Sequence, residues 1–340
     1  MNKNYKNKNI HSVTTMTPHR ISFAGGGTDY PNFFKKYEGE VLSSTINQYL
    51  FVTVKRHSEI YPEKFRLQYS VTEFCNSISE IKNNIARECI RLVPVDGSIT
   101  ISTVSDLPPG SGTGSSSCFA VGLLNALHRF RGERVTASQI AREACKVEIN
   151  ILKKVSGKQD QYAASFGGFN RYIFKNDDKV LIESVDINTK NIERLFNNLK
   201  LIWTGENRDA SSIASSYNFK DKKTISILLE TKRNVEFVKD IIEHNSLNLK
   251  DLSNHFKNAW KQKKIISKKI TSSKINSFSK KLLSLGIDGH RLIGAGGGGF
   301  FLCIASQKQI DILRKKYPKS KIIKISFEPL GSRILSVLYT

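Results

Sequence analysis

PPGSGTGSSS, residues 108–117, lies between an alternating apolar stretch, Ile99, Ile101 and Val104, and a long apolar run from Cys118 to Phe130. The first has the period-two pattern of a strand, and the second suits a buried helix. The order is therefore strand, glycine loop, helix start. Gly110, Gly112 and Gly114 allow positive φ and let a ligand approach the backbone without meeting a Cβ. Ser115, Ser116 and Ser117 fall where helix N–H groups lack a partner within the helix, at the positive end of its dipole. Such a loop suits an anion, phosphate above all. A P-loop would need Gly-Lys-Ser/Thr, and no lysine follows Gly114; a dinucleotide fingerprint would need glycine at Ser115 or Ser117. The other reading of such a composition is a flexible linker, but linkers are seldom followed at once by an apolar helix.

With 340 residues the chain is long enough for about two domains. Its 53 lysines and arginines against 30 acids leave a net charge of +23, which favours anionic partners such as nucleotides, sugar phosphates or nucleic acid. Charge alone does not argue for nucleic acid. Lys and Asn are abundant throughout, as in residues 2–9, and no zinc-finger, homeodomain or RNP pattern accompanies them. Five scattered cysteines without a CxxC read as reduced thiols of a cytoplasmic protein, with Cys118 and Cys145 as core packing. No apolar signal segment opens the chain, and its longest apolar runs, such as Phe300 to Ala305, are too short to span a bilayer.

Two further glycine clusters stand out. In the first, Ile21 and Phe23 suggest a strand that breaks at Gly25-Gly26-Gly27 before Thr28-Asp29-Tyr30. Asp29 reads either as a turn or helix cap or as an acceptor for ligand hydroxyls. The second, Gly294 to Gly299, formally matches GxGxxG, but a strand rather than a helix follows it. Residues 41–54 and 65–69 read as strands, and 79–93 and 136–152 as helices. Glu148 lies at the border of the last helix's apolar stripe, either paired with Lys153 or Lys154 or held for another cation. Asp160 caps a short helix or serves as a site acid. Residues 171–174 and 180–185 form a hairpin. The second half is mostly helical, over about 220–242, 249–268, 276–285 and 307–316, with strands at 201–203, 300–305 and 322–327. The organisation expected is a flexible 1–12, a first domain over 13–197 and a second over 198–340.

The decapeptide at 108–117 resembles the second motif of the GHMP kinases, which include galactokinase, homoserine kinase, mevalonate kinase and phosphomevalonate kinase. Residues 17–34 resemble their first motif through Pro18, Arg20, Thr28, Asp29 and Tyr30. Where galactokinases carry Glu-His this chain has Gly26 and Gly27, as in the heptose 7-phosphate kinase branch. Gly-Lys-Gln-Asp-Gln, ending at Gln161, resembles the galactokinase segment bearing the proposed base, and Glu148 precedes Asp160 at the spacing of that family's magnesium glutamate. Residues 290–306 resemble the third motif.

The resemblance implies an α+β, two-domain GHMP kinase fold with a ribosomal-protein-like first domain and a ferredoxin-like second. It implies ATP, its phosphates held by Pro109, Gly110, Ser111, Gly112, Thr113, Gly114, Ser115 and Ser116. Mg²⁺ would sit on Ser116 and Glu148. Asp160 would be the base, with Arg20 beside it holding it as a carboxylate. Gly26, Gly27, Thr28, Asp29, Tyr30, Gly296 and Gly297 would contact the sugar, and Arg208 its phosphate. The implied reaction phosphorylates the anomeric hydroxyl of D-glycero-D-manno-heptose 7-phosphate, on a route to activated heptose for surface polysaccharide, in a monomer or homodimer. A kinase of an unphosphorylated sugar is the alternative. A non-catalytic RNA-binding protein is the remote one, since it would need neither Glu148 nor Asp160.

Overall fold

A computed structural model describes residues 10–207, 210–244 and 246–340. Two long antiparallel strands form the spine, β1 (Ile10–Ala24) and β2 (Gly39–Arg56). They flank the short α1 (Pro31–Tyr37). A reading of 1–12 as loose chain meets a strand from Ile10 on, because Ile10 to Met16 pair with the last strand of the chain. The sheet continues through β3 (Phe65–Gln68), β4 (Thr72–Cys75) and β5 (Ile99–Ser105). The start of β2 pairs with β6 (Phe169–Phe174), which forms the expected hairpin with β7 (Val180–Ser184).

The region read as one helix at 79–93 is a 3₁₀ turn followed by α2 (Asn84–Leu92), because the Asn83 side chain accepts from Ala86 N and starts the helix there. After the glycine loop comes α3 (Ser115–Phe130), with Val121, Leu123, Leu124 and Leu127 fully buried against the sheet and α2. Each such side chain is worth about 1.5–3 kcal/mol relative to exposure. At Gly122 the helix lies so near β1 that a Cβ would stand 2.8 Å from the Thr17 hydroxyl. Then follow α4 (Ala137–Cys145), α5 (Gln159–Phe166) and α6 (Thr189–Asn198).

A second, four-stranded sheet is antiparallel throughout. It orders β11 (Ile322–Lys324), β8 (Leu199–Trp203), β10 (Phe300–Ile304) and β9 (His290–Leu292). Packed with it are α7 (Ala210–Ala214), α8 (Lys222–Glu243), α9 (Leu249–Ile266), α10 (Ser273–Leu283) and α11 (Gln307–Lys316). The last strand, β12 (Arg333–Tyr339), returns to the first sheet and covers the outer edge of β1. A boundary at 198 therefore leaves one strand of the first sheet in the second half, since β1 would otherwise present an unpaired edge. One buried cluster joins Ile21, Phe23 and Leu42 of the first sheet to Leu201, Val238, Phe256 and Phe300 of the second half. The two halves thus share a core behind the cleft between them.

All five cysteines are buried, unpaired thiols, and no described helix is long and apolar enough to cross a membrane. Replacing Gly122 by Val should push α3 off β1 at a cost of about 1–3 kcal/mol. Denaturant unfolding would check it, and an unchanged midpoint would refute the close approach.

Candidate active site

The alternation of the loop after β5 has a structural meaning. Ser111 and Thr113 are fully buried and hydrogen-bonded to each other at 2.7 Å, and the Thr113 hydroxyl also meets His19 Nδ1 at 3.0 Å. Burial lowers the His19 pKa to about 4, so this anchor is neutral. The glycines that alternate with them, Gly110, Gly112 and Gly114, line a cavity of about 210 Å³ together with Ser115 and Ser116. All three glycines have positive φ, and at Gly112 a Cβ would stand 2.7 Å from the Ile293 carbonyl.

The helices that begin at this cavity lack capping side chains of their own. At the start of α3 the N-cap is Gly114, which offers no side chain, whereas α4, α6, α8, α9, α10 and α11 are each capped by their own Thr, Asn, Asp or Ser. The first N–H groups of α3 are thus available to a ligand, at the positive end of its dipole. At α5 the task falls to Asp29, whose carboxylate accepts from Gln159 N at 3.1 Å and from Gly27 N at 3.2 Å. Gly157 makes that possible, because a Cβ there would lie 1.8 Å from Asp29 Oδ2. Asp29 is therefore a cap, as one of its two readings expected, and it also lines the cavity. Burial pushes its carboxyl up to about 6.

Asp160, in the first turn of α5, faces Arg20 of β1. The guanidinium donates through Nε to Asp160 Oδ1 at 2.6 Å, and through Nη1 to the Gly112 carbonyl at 2.7 Å. Gly114 lies against the same carboxylate, with its missing Cβ 3.2 Å from Asp160 Cγ. A candidate base and a candidate phosphate loop are therefore in direct contact.

Glu148 sits in a π-helical turn, Lys146–Ile151, that continues α4, where the sequence pattern reads as unbroken α-helix. Such turns carry one extra residue and are frequent at functional sites. Ser117 Oγ and Gln161 Nε2 donate to Glu148 Oε2 at 2.7 and 2.8 Å. Its other oxygen accepts from Ser116 Oγ at 2.5 Å and from Lys154 Nζ at 3.2 Å. The Lys154 ammonium also lies 2.9 Å from Ser116 Oγ, so a cation already rests on the two oxygens expected to hold a metal. Two hard oxygens suit Mg²⁺, which takes few protein ligands and completes its shell with phosphate and water. Among the described residues no group of three or more His, Cys, Asp or Glu could cage a metal by itself.

The remaining expected contacts divide. Gly26, Gly27 and Tyr30 line the cavity, and Tyr30 stacks on Tyr217 of the second half at 5.8 Å. Thr28 does not reach it. Its hydroxyl donates toward the Glu40 and Gly25 carbonyls at 2.7 and 2.8 Å and holds the turn shut. Pro109 is exposed outside the cavity lining, and Ser111 and Thr113 are fully buried and do not line it. From the third motif it is Gly294 and Ala295 that line the cavity. Gly296 and Gly297 pack behind them on Ile270, the latter donating to the Ile270 carbonyl at 2.8 Å. Arg208 lies outside the described residues. To the cavity lining the structure adds Tyr217, Lys263 of α9, Arg291 of β9 and Lys154, which the sequence offered only as a partner of Glu148, and it shows Gln161 as a donor to Glu148.

This fold and this site define a kinase of small molecules. Residues 76–168 match the N-terminal domain of the GHMP kinases. Along 90% of its length the chain is 29% identical to a D-glycero-alpha-D-manno-heptose 7-phosphate kinase of Campylobacter jejuni, covering 93% of that protein. A galactokinase of Pyrococcus furiosus is 23% identical over 94% of this chain and 96% of its own. The crystal structure of a D-glycero-D-manno-heptose 1-phosphate kinase from Bacteroides thetaiotaomicron shares the fold with a TM-score of 0.72 at 21% identity, covering 96% of this chain and 99% of that one.

Because Asp29 titrates near 6 when folded and near 3.9 when unfolded, the native state holds a proton that the unfolded chain has shed between those values. Wild type should therefore lose stability relative to Asp29→Asn as pH rises from about 4 to 6, with no further change above. Parallel stability curves for the two proteins would rule out burial as the cause.

Proposed function

We propose that this chain transfers the γ-phosphoryl group of ATP to the anomeric hydroxyl of D-glycero-D-manno-heptose 7-phosphate, giving the 1,7-bisphosphate. The observation that carries the reading is the contact of Asp160 with both Arg20 and Gly114. It sets a carboxylate beside the place where the loop would hold the terminal phosphate. The Campylobacter jejuni relative supports the acceptor, as do Gly26 and Gly27 where galactokinases carry Glu-His. The name of the Bacteroides protein bears on the fold alone at its identity.

Phosphoryl transfer needs positioning and charge neutralisation more than covalent chemistry. The amides of residues 110–116 orient the triphosphate. Asp29 accepts from sugar hydroxyls, for which the charged form keeps lone pairs beyond its two backbone donors. Asp160 accepts the proton of the attacking hydroxyl as the new O–P bond forms. Arg20 holds that carboxylate in one orientation, so it need not reorganise. Bound Mg²⁺ would neutralise the phosphate charge, and Ser116 and Glu148 would hold it. The five buried thiols support a reducing, cytoplasmic setting.

Asp160→Asn retains an oxygen for Arg20 and should fold. It should bind ATP but lose roughly 100- to 10,000-fold in kcat in a coupled ADP-release assay; near-normal turnover would remove Asp160 from the base role. Glu148→Gln should raise the Mg²⁺ concentration for half-maximal activity by about tenfold or more. An unshifted Mg²⁺ titration would mean that Glu148 is only the partner of Lys154.

A further inference from the structure

The second half supplies two basic side chains to this cavity that no described carboxylate neutralises. Arg291 of β9 is only 7% exposed. Its Nη1 donates to the Phe23 carbonyl at 2.6 Å, and its Nε has no acceptor. Lys263 of α9 donates only to carbonyls, those of Leu292 and Gly294. Neither makes an ion pair with a described carboxylate, and the one group that helps to hold Arg291 charged is the Tyr217 phenol. Burial and the neighbouring Arg20 push the Arg291 guanidinium down to about 10, still charged at neutral pH. Burial and the two arginines hold Lys263 well below its ordinary value.

Nearby groups do not relieve this charge. Arg20 is committed to Asp160. His255 of α9 shares the Phe23 carbonyl with Arg291 at 3.2 Å and, with its pKa lowered to about 4, is neutral. A buried cation without an acid is costly and is kept only where something else offsets it. The opening toward Arg291 comes from the first glycine turn. A Cβ at Gly26 would stand 3.9 Å from Arg291 Nη2, so any side chain there would lie over the guanidinium.

We infer that Arg291 and Lys263 bind the phosphate that the acceptor sugar already carries, with Gly26 leaving the space for it. This rests on the sugar-phosphate reading above. A phosphate dianion would supply the acceptors that the guanidinium and the ammonium lack, and Arg matches its oxygens in fork geometry. The site then sorts its charges. The acids Asp29 and Asp160 face the hydroxyl end of the acceptor, and the unpaired cations face its phosphate end. Selection for a phosphorylated acceptor follows, because a free sugar would leave both cations without a partner.

The test compares kcat/KM for heptose 7-phosphate with that for the free heptose, in wild type, Lys263→Met, Arg291→Met and Gly26→Glu. The last removes no buried group and supplies Arg291 with an acid, so it covers the case in which Arg291→Met fails to fold. Wild type should strongly prefer the phosphorylated acceptor. Each variant should cut that preference by roughly 10- to 100-fold, through KM for the acceptor and not for ATP. Inorganic phosphate should inhibit wild type competitively with the acceptor. If wild type shows no preference, the sugar-phosphate reading fails and this assignment with it. If wild type prefers the phosphorylated acceptor and the folded variants keep that preference, or lose affinity for ATP instead, the reading survives and the assignment is overturned.

Discussion

The ion pair between Arg20 and Asp160 ties together three elements that are far apart in the chain. Arg20 projects from β1, Asp160 from the first turn of α5, and the carbonyl that shares the guanidinium belongs to Gly112. The Arg20 side chain is 4% exposed, and that of Asp160 is 21% exposed. A pair so placed gains little net stability, since desolvation offsets most of its attraction, and a pair of apolar side chains would pack as well. Its value lies in geometry. The same contact that fixes the carboxylate also fixes the loop, so the spacing of Asp160 from the Gly112 backbone is set by one residue's hydrogen bonds. Gly114 is the steric condition for this, because a larger residue would drive Asp160 away.

The second half of the molecule closes on the loop through backbone rather than side chains. A Cβ on Gly294 would lie 2.6 Å from Gly112 Cα, and one on Gly299 would lie 2.3 Å from the Ser111 carbonyl. The glycine turns of the two halves are therefore in van der Waals contact. The shared core behind them, from Phe23 to Phe256 and Phe300, backs that contact. Three carboxylates, Asp29, Glu148 and Asp160, the uncapped start of α3 and the basic pair Arg291 and Lys263 all line the one cavity between the halves.

Much of this was legible in the sequence because glycine and acid spacing report backbone demands directly. The strand, loop and helix around residues 108–117 have the limits their pattern implies, and Glu148 and Asp160 meet the same cavity. Several readings went astray for local reasons. Spacing cannot say which way a hydroxyl points, so Ser111, Thr113 and Thr28 read as contacts when they are anchors. The run Gly294 to Gly299 is uniform in sequence, yet only its beginning faces the cavity, because Ile270 occupies the space beside Gly296. The π-turn at Glu148 is hidden within an amphipathic pattern that a helix would also satisfy. Arg291 and Lys263 were the least visible. They come from separate elements, Arg291 beside the third glycine cluster and Lys263 in a lysine-rich helix, and only the fold shows that no described carboxylate pairs with either.

The measurement closest to the central claim is a crystal structure with Mg²⁺ and a non-hydrolysable ATP analogue. The account predicts the triphosphate along residues 110–116, its terminal phosphorus on the side of the loop where Asp160 meets Gly114. A triphosphate bound elsewhere, or one separated from Asp160 by the body of the loop, would contradict it.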